Sequence, residues 1–290
     1  MVAYKGNRIN PRKFEKGQLK IVLAILPLVL FMGLPIIFIF SHAFKPMEEL
    51  FAYPPKFFVS NPTLDNFSKL FKASRMAGIP MSRYVFNSIL VTGIVVIGSI
   101  ILSTAAGFAL SKLKFKGKFV LMEINQGALM FVAVAVMIPR YLTINFLGIT
   151  NTYLAHILPW LATPVALFLI KQFIDQVPDS LIEAAYIDGA GDFKVYTKII
   201  LPMIKPAIAT AAILIFQQVW VDLGTSNYYV NDEGIKTLAF YMNTLANANN
   251  TVAGQGMAAA ASLIMFLPNL IMFILLQKSI MNTMAHSGIK

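Results

Sequence analysis

Ile21 to Phe40 runs for 20 residues without one Asp, Glu, Lys or Arg, and fifteen of them are Leu, Ile, Val or Phe. A helix rises about 1.5 Å per residue, so about 20 apolar residues span the roughly 30 Å of hydrocarbon in a bilayer. At roughly −0.3 to −0.6 kcal/mol for each such side chain near the centre, insertion is favoured by on the order of 5–9 kcal/mol. A cleavable signal peptide would instead have an apolar core of about 7–15 residues and small residues at the cleavage site. This run is too long, and Ser41-His42-Ala43-Phe44 is a poor site. The reading is an uncleaved first membrane span.

Apolar stretches recur. Tyr84 to Ser111, Phe119 to Pro139, Asn151 to Ile170, Ala207 to Val221 and Gly254 to Leu276 read as spans two to six. The third carries Glu123 near one end, and the fifth is short and contains Gln217 and Gln218. Composition agrees: 57% of the 290 residues are hydrophobic and only 13% are charged, against about 25% charged in a soluble domain. A water-soluble globule and a disordered chain are both excluded. The expected fold is all-α and integral to the membrane, with six transmembrane helices. With no Cys in the chain, thiolate nucleophiles, disulfides and Cys-ligated metals are ruled out. His42, His156 and His286 are too far apart in sequence to form a metal-binding spacing.

Six spans place both termini on one side, and the positive-inside rule says which. Sixteen of the 24 basic residues fall in the N-terminal arm, the 112–118 loop, the 171–205 segment and the tail. Those four segments are therefore assigned to the cytosol. The resulting organisation is a cytosolic basic arm at 1–20, a first transmembrane helix at 21–41 and an outer loop at 42–83 rich in Pro, Phe and Asn. A five-helix core then covers 84–277, with a cytosolic loop at 172–205 between the fourth and fifth spans, and a cytosolic tail covers 278–290. The net charge of +11 thus follows a membrane rule, and nucleic acid is not expected as a partner. The sequons Asn66-Phe67-Ser68 and Asn249-Asn250-Thr251 are short enough to arise by chance and are assigned no role.

The 172–205 segment is unlike a plain connector. Pro178 suits the first turn of a helix. Leu181, Ile182, Ala185 and Tyr186 fall on one apolar stripe. Gly189 suits the left-handed position past a helix end, and Asp192 suits the N-cap of a second helix through Phe193, Tyr196, Ile199 and Ile200. Pro202 and Pro206 mark the turn into the fifth span. A short amphipathic helix with a sharp bend after it, carrying Glu183 and Asp188 and a close-packing Ala184-Ala185 pair, has the equipment of a helix laid into another protein's groove.

Glu183-Ala184-Ala185, three residues, Gly189, nine residues, Ile199, one residue and Leu201-Pro202 resemble the EAA signature of membrane subunits of bacterial ATP-binding-cassette importers. Further stretches resemble the maltose-type sugar branch: Pro62 to Phe67, Asn87-Ser88, Ala106 to Lys118 and the tail from Gln277. One departure is Val221 before Asp222, where that branch usually has Asn and an acid after the Trp.

The resemblance implies a bacterial plasma (inner) membrane, multi-pass permease subunit. It implies that Glu183, Ala184, Ala185, Asp188 and Gly189 form a cytosolic coupling helix seated on an ATPase. The implied partners are an ATP-binding-cassette ATPase dimer, a second homologous permease, an extracellular or periplasmic sugar-binding protein and the sugar itself, in a lipid bilayer. No cofactor is expected in this chain: neither Gly189-Ala190-Gly191 nor Gly254-Gln255-Gly256 is followed by Gly-Lys-Ser/Thr, so no P-loop cradles phosphates. ATP and Mg would be bound by the partner. The chain is not expected to be an enzyme, since no nucleophile or His/acid constellation is present.

Gln217, Gln218, Asn125, Gln126, Asn269, Trp160 and Trp220 are the candidates for a solute path. The alternatives are that the amides bond across helices as packing contacts and that Trp220 belongs to the interfacial aromatic belt. Near-absence of charge inside spans favours a neutral, hydroxyl-rich solute, most simply an oligosaccharide. A polyol phosphate or other solute is the rival within the family. An ion-coupled secondary transporter is the rival outside it, and would need intramembrane acids. The acid inside the third span, Glu123, is expected to pair with Lys118 at the interface.

Overall fold

Backbone in hydrocarbon must satisfy its own hydrogen bonds, which leaves the helix as the local solution for these apolar runs. The computed structural model describes residues 16–76, 78–248 and 252–287, and among these residues it contains helices and turns but no strand. Most of the basic arm, the Asn249-Asn250-Thr251 sequon and Lys290 lie outside the described residues.

Five stretches are helical, long and apolar enough to cross a membrane: Leu19–Phe44, Met81–Lys112, Tyr153–Asp175, Lys205–Tyr228 and Gly254–Gln277. They contain helices α1 (Lys16–Phe44), α3 (Met81–Lys112), α6 (Tyr153–Leu161) with α7 (Pro164–Asp175), α9 (Lys205–Trp220) and α11 (Val252–Ser287). Between them lie α2 (Asp65–Met76), α4 (Lys118–Met130), α5 (Met137–Phe146), α8 (Asp179–Ile187) and α10 (Leu238–Ala248). Pro164 opens α7, where a missing N–H costs nothing, and so permits the bend at Ala162 and Thr163 inside the fourth predicted span.

The predicted third span, Phe119 to Pro139, is not one helix. α4 has 13 residues, or about 20 Å of rise, and ends before an irregular turn at Phe131 to Val136. Val132, Val134 and Val136 are β-branched and lose rotamer freedom in a helix. Pro139 falls in the first turn of α5, the place in a helix that tolerates it.

The expected Glu123–Lys118 pair is also absent. Lys118 Nζ turns instead to the carbonyls of Ser111 at 3.1 Å and Leu113 at 3.4 Å. These are unsatisfied acceptors at the end of α3, where a cation is favoured.

α3 is an unbroken helix of 32 residues, about 48 Å long. Its buried face carries small and hydroxyl residues at Ser88, Thr92, Ser99, Ser103, Thr104 and Gly107, which allow close approach of neighbouring helices. A Cβ on Gly107 would stand 3.2 Å from Ile174 Cδ1 and 3.3 Å from Ile170 Cγ2 of α7. An inner core joins Val95 and Phe108 of α3, Ile170 and Ile174 of α7, Ile182 of α8 and Ala207, Ala211 and Ile215 of α9. An outer core joins Tyr84, Trp220, Leu238, Tyr241 and Ala261, with Tyr84 and Tyr241 stacked at 4.3 Å.

The 42–83 loop is pinned by Asn66, which is buried. Its Nδ2 donates to the carbonyls of Ala43 at 3.0 Å and Lys45 at 2.8 Å, closing the end of α1, and Gly256 of α11 leaves the room it occupies. Over most of its apolar length α1 is exposed, with none of its most apolar stretch buried among the described residues. Its last turns, from Ile39 to Phe44, meet Ala259, Ala260 and Leu263.

Candidate functional site

The EAA residues lie on α8, a nine-residue helix. Asp175 ends α7, and Pro178, which cannot continue that helix, becomes the N-cap of α8. Asp179 then places an acid in the first turn, favourable at the positive end of the helix. At the other end Gly189 takes φ +78°, a left-handed conformation that costs a residue with a Cβ. Gly189 N donates to Tyr186 O at 3.0 Å and Ala190 N to Ala185 O at 2.9 Å, the paired bonds of a Schellman ending. The chain then turns back through a short helix at Asp192–Val195 and a π-helical turn at Tyr196–Ile200 into α9.

Asp192 is the first residue of that short helix and Gly191 its N-cap, so the cap falls one place earlier than the spacing suggests. Its carboxylate is instead taken by the Tyr186 hydroxyl at 2.8 Å across the bend. That bond holds the phenol proton above the ordinary tyrosine range.

The predicted apolar stripe splits in two. Ile182 is buried and Ala185 packs against the inner core, while Leu181 and Tyr186 are exposed. Glu183, Ala184 and Asp188 face outward, and Glu183 has no ion-pair partner among the described residues. Two large apolar residues that the stripe argument missed join them: Ile187 is 86% exposed and Phe193 79% exposed. Ile187 is a hydrophobe off the stripe, and that misfit was the available signal. The surface of α8 is therefore a small apolar patch with acids beside it.

Lys112, the last residue of α3, reaches this segment. Its Nζ donates to Val177 O at 2.6 Å and to Asp179 Oδ1 at 2.7 Å. The bond from Lys112 holds the Asp179 carboxyl below the usual carboxylate range.

The candidate path residues do not converge. Asn125 is buried, its Nδ2 3.4 Å from Pro164 O, a contact between α4 and α7. Trp160 packs beside the inner core, with its Nε1 buried and unpartnered. Trp220 is buried in a core of its own chain; its Nε1 donates to Met265 O at 3.1 Å and its ring stacks on Phe216. Those contacts leave little of its face free. Gln217, Gln218 and Gln126 are exposed.

Asn269 lines a cavity, of about 430 Å³, between α1, α10, α11 and the end of α9. Asn243 and Ser262 line it too, and no lining residue is charged. Asn269 Oδ1 is buried without a partner. Asn243 and Ser262 were missed because neither polar type nor spacing distinguishes them from the other amides and hydroxyls. No group of His, Asp or Glu that could hold a metal occurs among the described residues.

Three comparisons bear on this arrangement. A probable ABC transporter permease protein of Bacillus subtilis is 28% identical over 285 residues, covering 96% of this chain and 91% of that protein. The trehalose/maltose transport system permease protein MalG of Thermococcus litoralis is 29% identical over 245 residues, covering 83% of this chain and 87% of that protein. Among solved structures, a chain of a bacterial ABC transporter that imports the acidic polysaccharide alginate superposes with a TM-score of 0.74. It is 21% identical, with 93% of this chain and 99% of that chain covered, and so has the same fold. Residues 19–279 match the family described as binding-protein-dependent transport system inner membrane component, and the chain belongs to that family.

Proposed function

We propose that this chain is the membrane-spanning permease subunit of an ATP-driven, binding-protein-dependent importer whose cargo is a sugar, of oligosaccharide class. The observation that carries the reading is α8: a short helix held rigidly by its own turn and by α3, with Glu183, Ala184, Ile187 and Asp188 presented to a partner. It serves as the coupling helix, in the cytosol, seated on one member of an ATPase dimer that binds ATP and Mg. The broken pair α4 and α5 completes a sixth crossing, so both termini are cytosolic. In this arrangement the coupling loop at 172–205 lies inside a five-helix core at 84–277. The membrane is the bacterial plasma membrane.

The mechanism is a population shift. ATP binding closes the ATPase pair and carries the coupling helices with it, which favours one arrangement of the spans over the other. Free energy enters through differential contact at α8, so this chain needs no catalytic residue. The bare length of α1 supports a second, homologous permease against it, and a sugar-binding protein delivers cargo at the outer loops.

The path runs past the cavity that holds Asn243, Ser262 and Asn269. Its lining is uncharged and mostly apolar, with polar groups at Asn243, Ser262 and Asn269; this suits a neutral solute better than an ion, and the trehalose/maltose relative points to a sugar.

The test is reconstitution of the complete complex with its binding protein, with ATP hydrolysis and uptake followed over a glycan panel that includes a polyol phosphate. Hydrolysis stimulated by a loaded binding protein and uptake of a neutral glycan are expected. Stimulation by the polyol phosphate alone would overturn the cargo assignment. Uptake driven by a proton or sodium gradient without an ATPase would overturn the whole reading.

A further inference from the structure

We infer that Lys112 is a positioning residue for the coupling helix, setting the angle at which α8 leaves the membrane domain. This rests on the coupling role proposed for α8. The residues of the basic 112–118 loop are not equivalent. Lys114 and Lys116 are exposed, whereas the Lys112 side chain is only 8% exposed and that of its partner Asp179 is 75% exposed. A lysine is rarely buried without a specific partner, and here the ammonium is spent on Val177 O and Asp179 Oδ1.

Those two acceptors flank Pro178, the joint between α7 and α8. Pro178 has no N–H to bond backward, so the direction of the joint is not set by helix hydrogen bonding across it. The Lys112 ammonium, bridging a carbonyl on one side and a carboxylate on the other, sets it instead.

The far side of the segment is tied to the same helix. Thr104 Oγ1 and Tyr196 OH are 2.8 Å apart, and the Tyr196 ring lies 5.6 Å from that of Phe108. Thr104 and Lys112 are separated by about 12 Å along α3. The coupling segment is thus anchored at entry and exit to one long helix, and a push on α8 is delivered to α3 as a unit.

Three variants test this in the reconstituted complex: Lys112→Met, Asp179→Asn and Lys112→Arg. The readouts are sugar moved per ATP hydrolysed and the yield of a crosslink from Ala184→Cys to a cysteine on the partner ATPase. Lys112→Met is expected to lower sugar moved per ATP roughly tenfold, the scale of one charge-assisted bond, and to reduce the crosslink. Lys112→Arg should recover most of both. Should Lys112→Met fail to assemble, Asp179→Asn, an exposed and nearly isosteric change, is expected to show a smaller fall in the same two quantities. Unchanged transport per ATP and crosslinking in both Lys112→Met and Asp179→Asn would overturn the inference. Absence of the crosslink in the otherwise unaltered protein would overturn the coupling role of α8 itself, whatever the Lys112 variants do.

Discussion

Replacing Gly189 isolates one physical quantity, the backbone conformation that ends α8. The residue sits at φ +78°, and a Cβ built there meets nothing within 4 Å. A substitution therefore costs through the main chain and not through a clash. For an ordinary L residue the left-handed region costs about 1–2 kcal/mol. Alanine recovers about 0.4–1 kcal/mol by restricting the open form of the segment. The net is near 1 kcal/mol, or about a fivefold fall in the population of the native turn. Asparagine tolerates the left-handed region better and should lose less. Proline fixes φ near −65° and deletes the N–H that donates to Tyr186 O at 3.0 Å, so it should abolish the turn. The assay is ATP hydrolysis by the assembled complex with and without loaded binding protein, and the expected order of stimulation is Gly, Asn, Ala, Pro. Stimulation in Gly189→Ala equal to that of the unaltered protein would show that the turn does not orient the segment. Asn performing no better than Ala would remove the backbone argument.

Glu183→Lys reverses the exposed charge on α8 and should abolish sugar-stimulated ATP hydrolysis while the chain still inserts, as checked by hydrolysis and membrane fractionation of the same preparation. Gly256→Ala would put a Cβ 2.7 Å from the amide of Asn66, which is held by the carbonyls at the end of α1. It should destabilise the packing of the 42–83 loop on α11 by about 1–3 kcal/mol, read as a lowered thermal midpoint in detergent. Asn269→Leu removes a buried amide from the cavity and should weaken sugar uptake with little change in assembly, whereas Asn269→Asp buries a charge at a cost of about 2.5–3.5 kcal/mol and should impair both; uptake and complex yield measured together distinguish them. Trp220→Phe forfeits the bond to Met265 O, worth about 1 kcal/mol, and its effect should appear in thermal stability.

Where sequence reading succeeded, the physics was local. Crossing length is a one-dimensional quantity, so apolar runs near Ile21, Tyr84, Asn151, Ala207 and Gly254 translate directly into five helical stretches long and apolar enough to cross a membrane. The end of α8 is equally local: Gly189 can adopt positive φ cheaply, and the two bonds that close the helix span only a few residues. Reading failed by small margins where local signals compete. Phe119 to Pro139 is largely apolar despite Glu123, Asn125 and Gln126, and hydropathy alone does not register that its β-branched residues and Pro139 favour two short helices over one. Lys118 lies one turn from Glu123, yet the free carbonyls ending α3 outcompete the carboxylate.

The amino-acid sequence by itself determined the all-helical membrane chain, the family signature and the bend after α8, because hydrophobic length, proline and glycine act within a turn or two of where they stand. Only the tertiary structure decided which polar groups matter together. Lys112 meets Asp179 across 67 positions and Trp220 meets Met265 across 45, while Asn243, Ser262 and Asn269 share a cavity with Ile39 of the first helix. The outward-facing amides and the buried ones are the same residue types in the sequence, and what separates them is which helix packs on each.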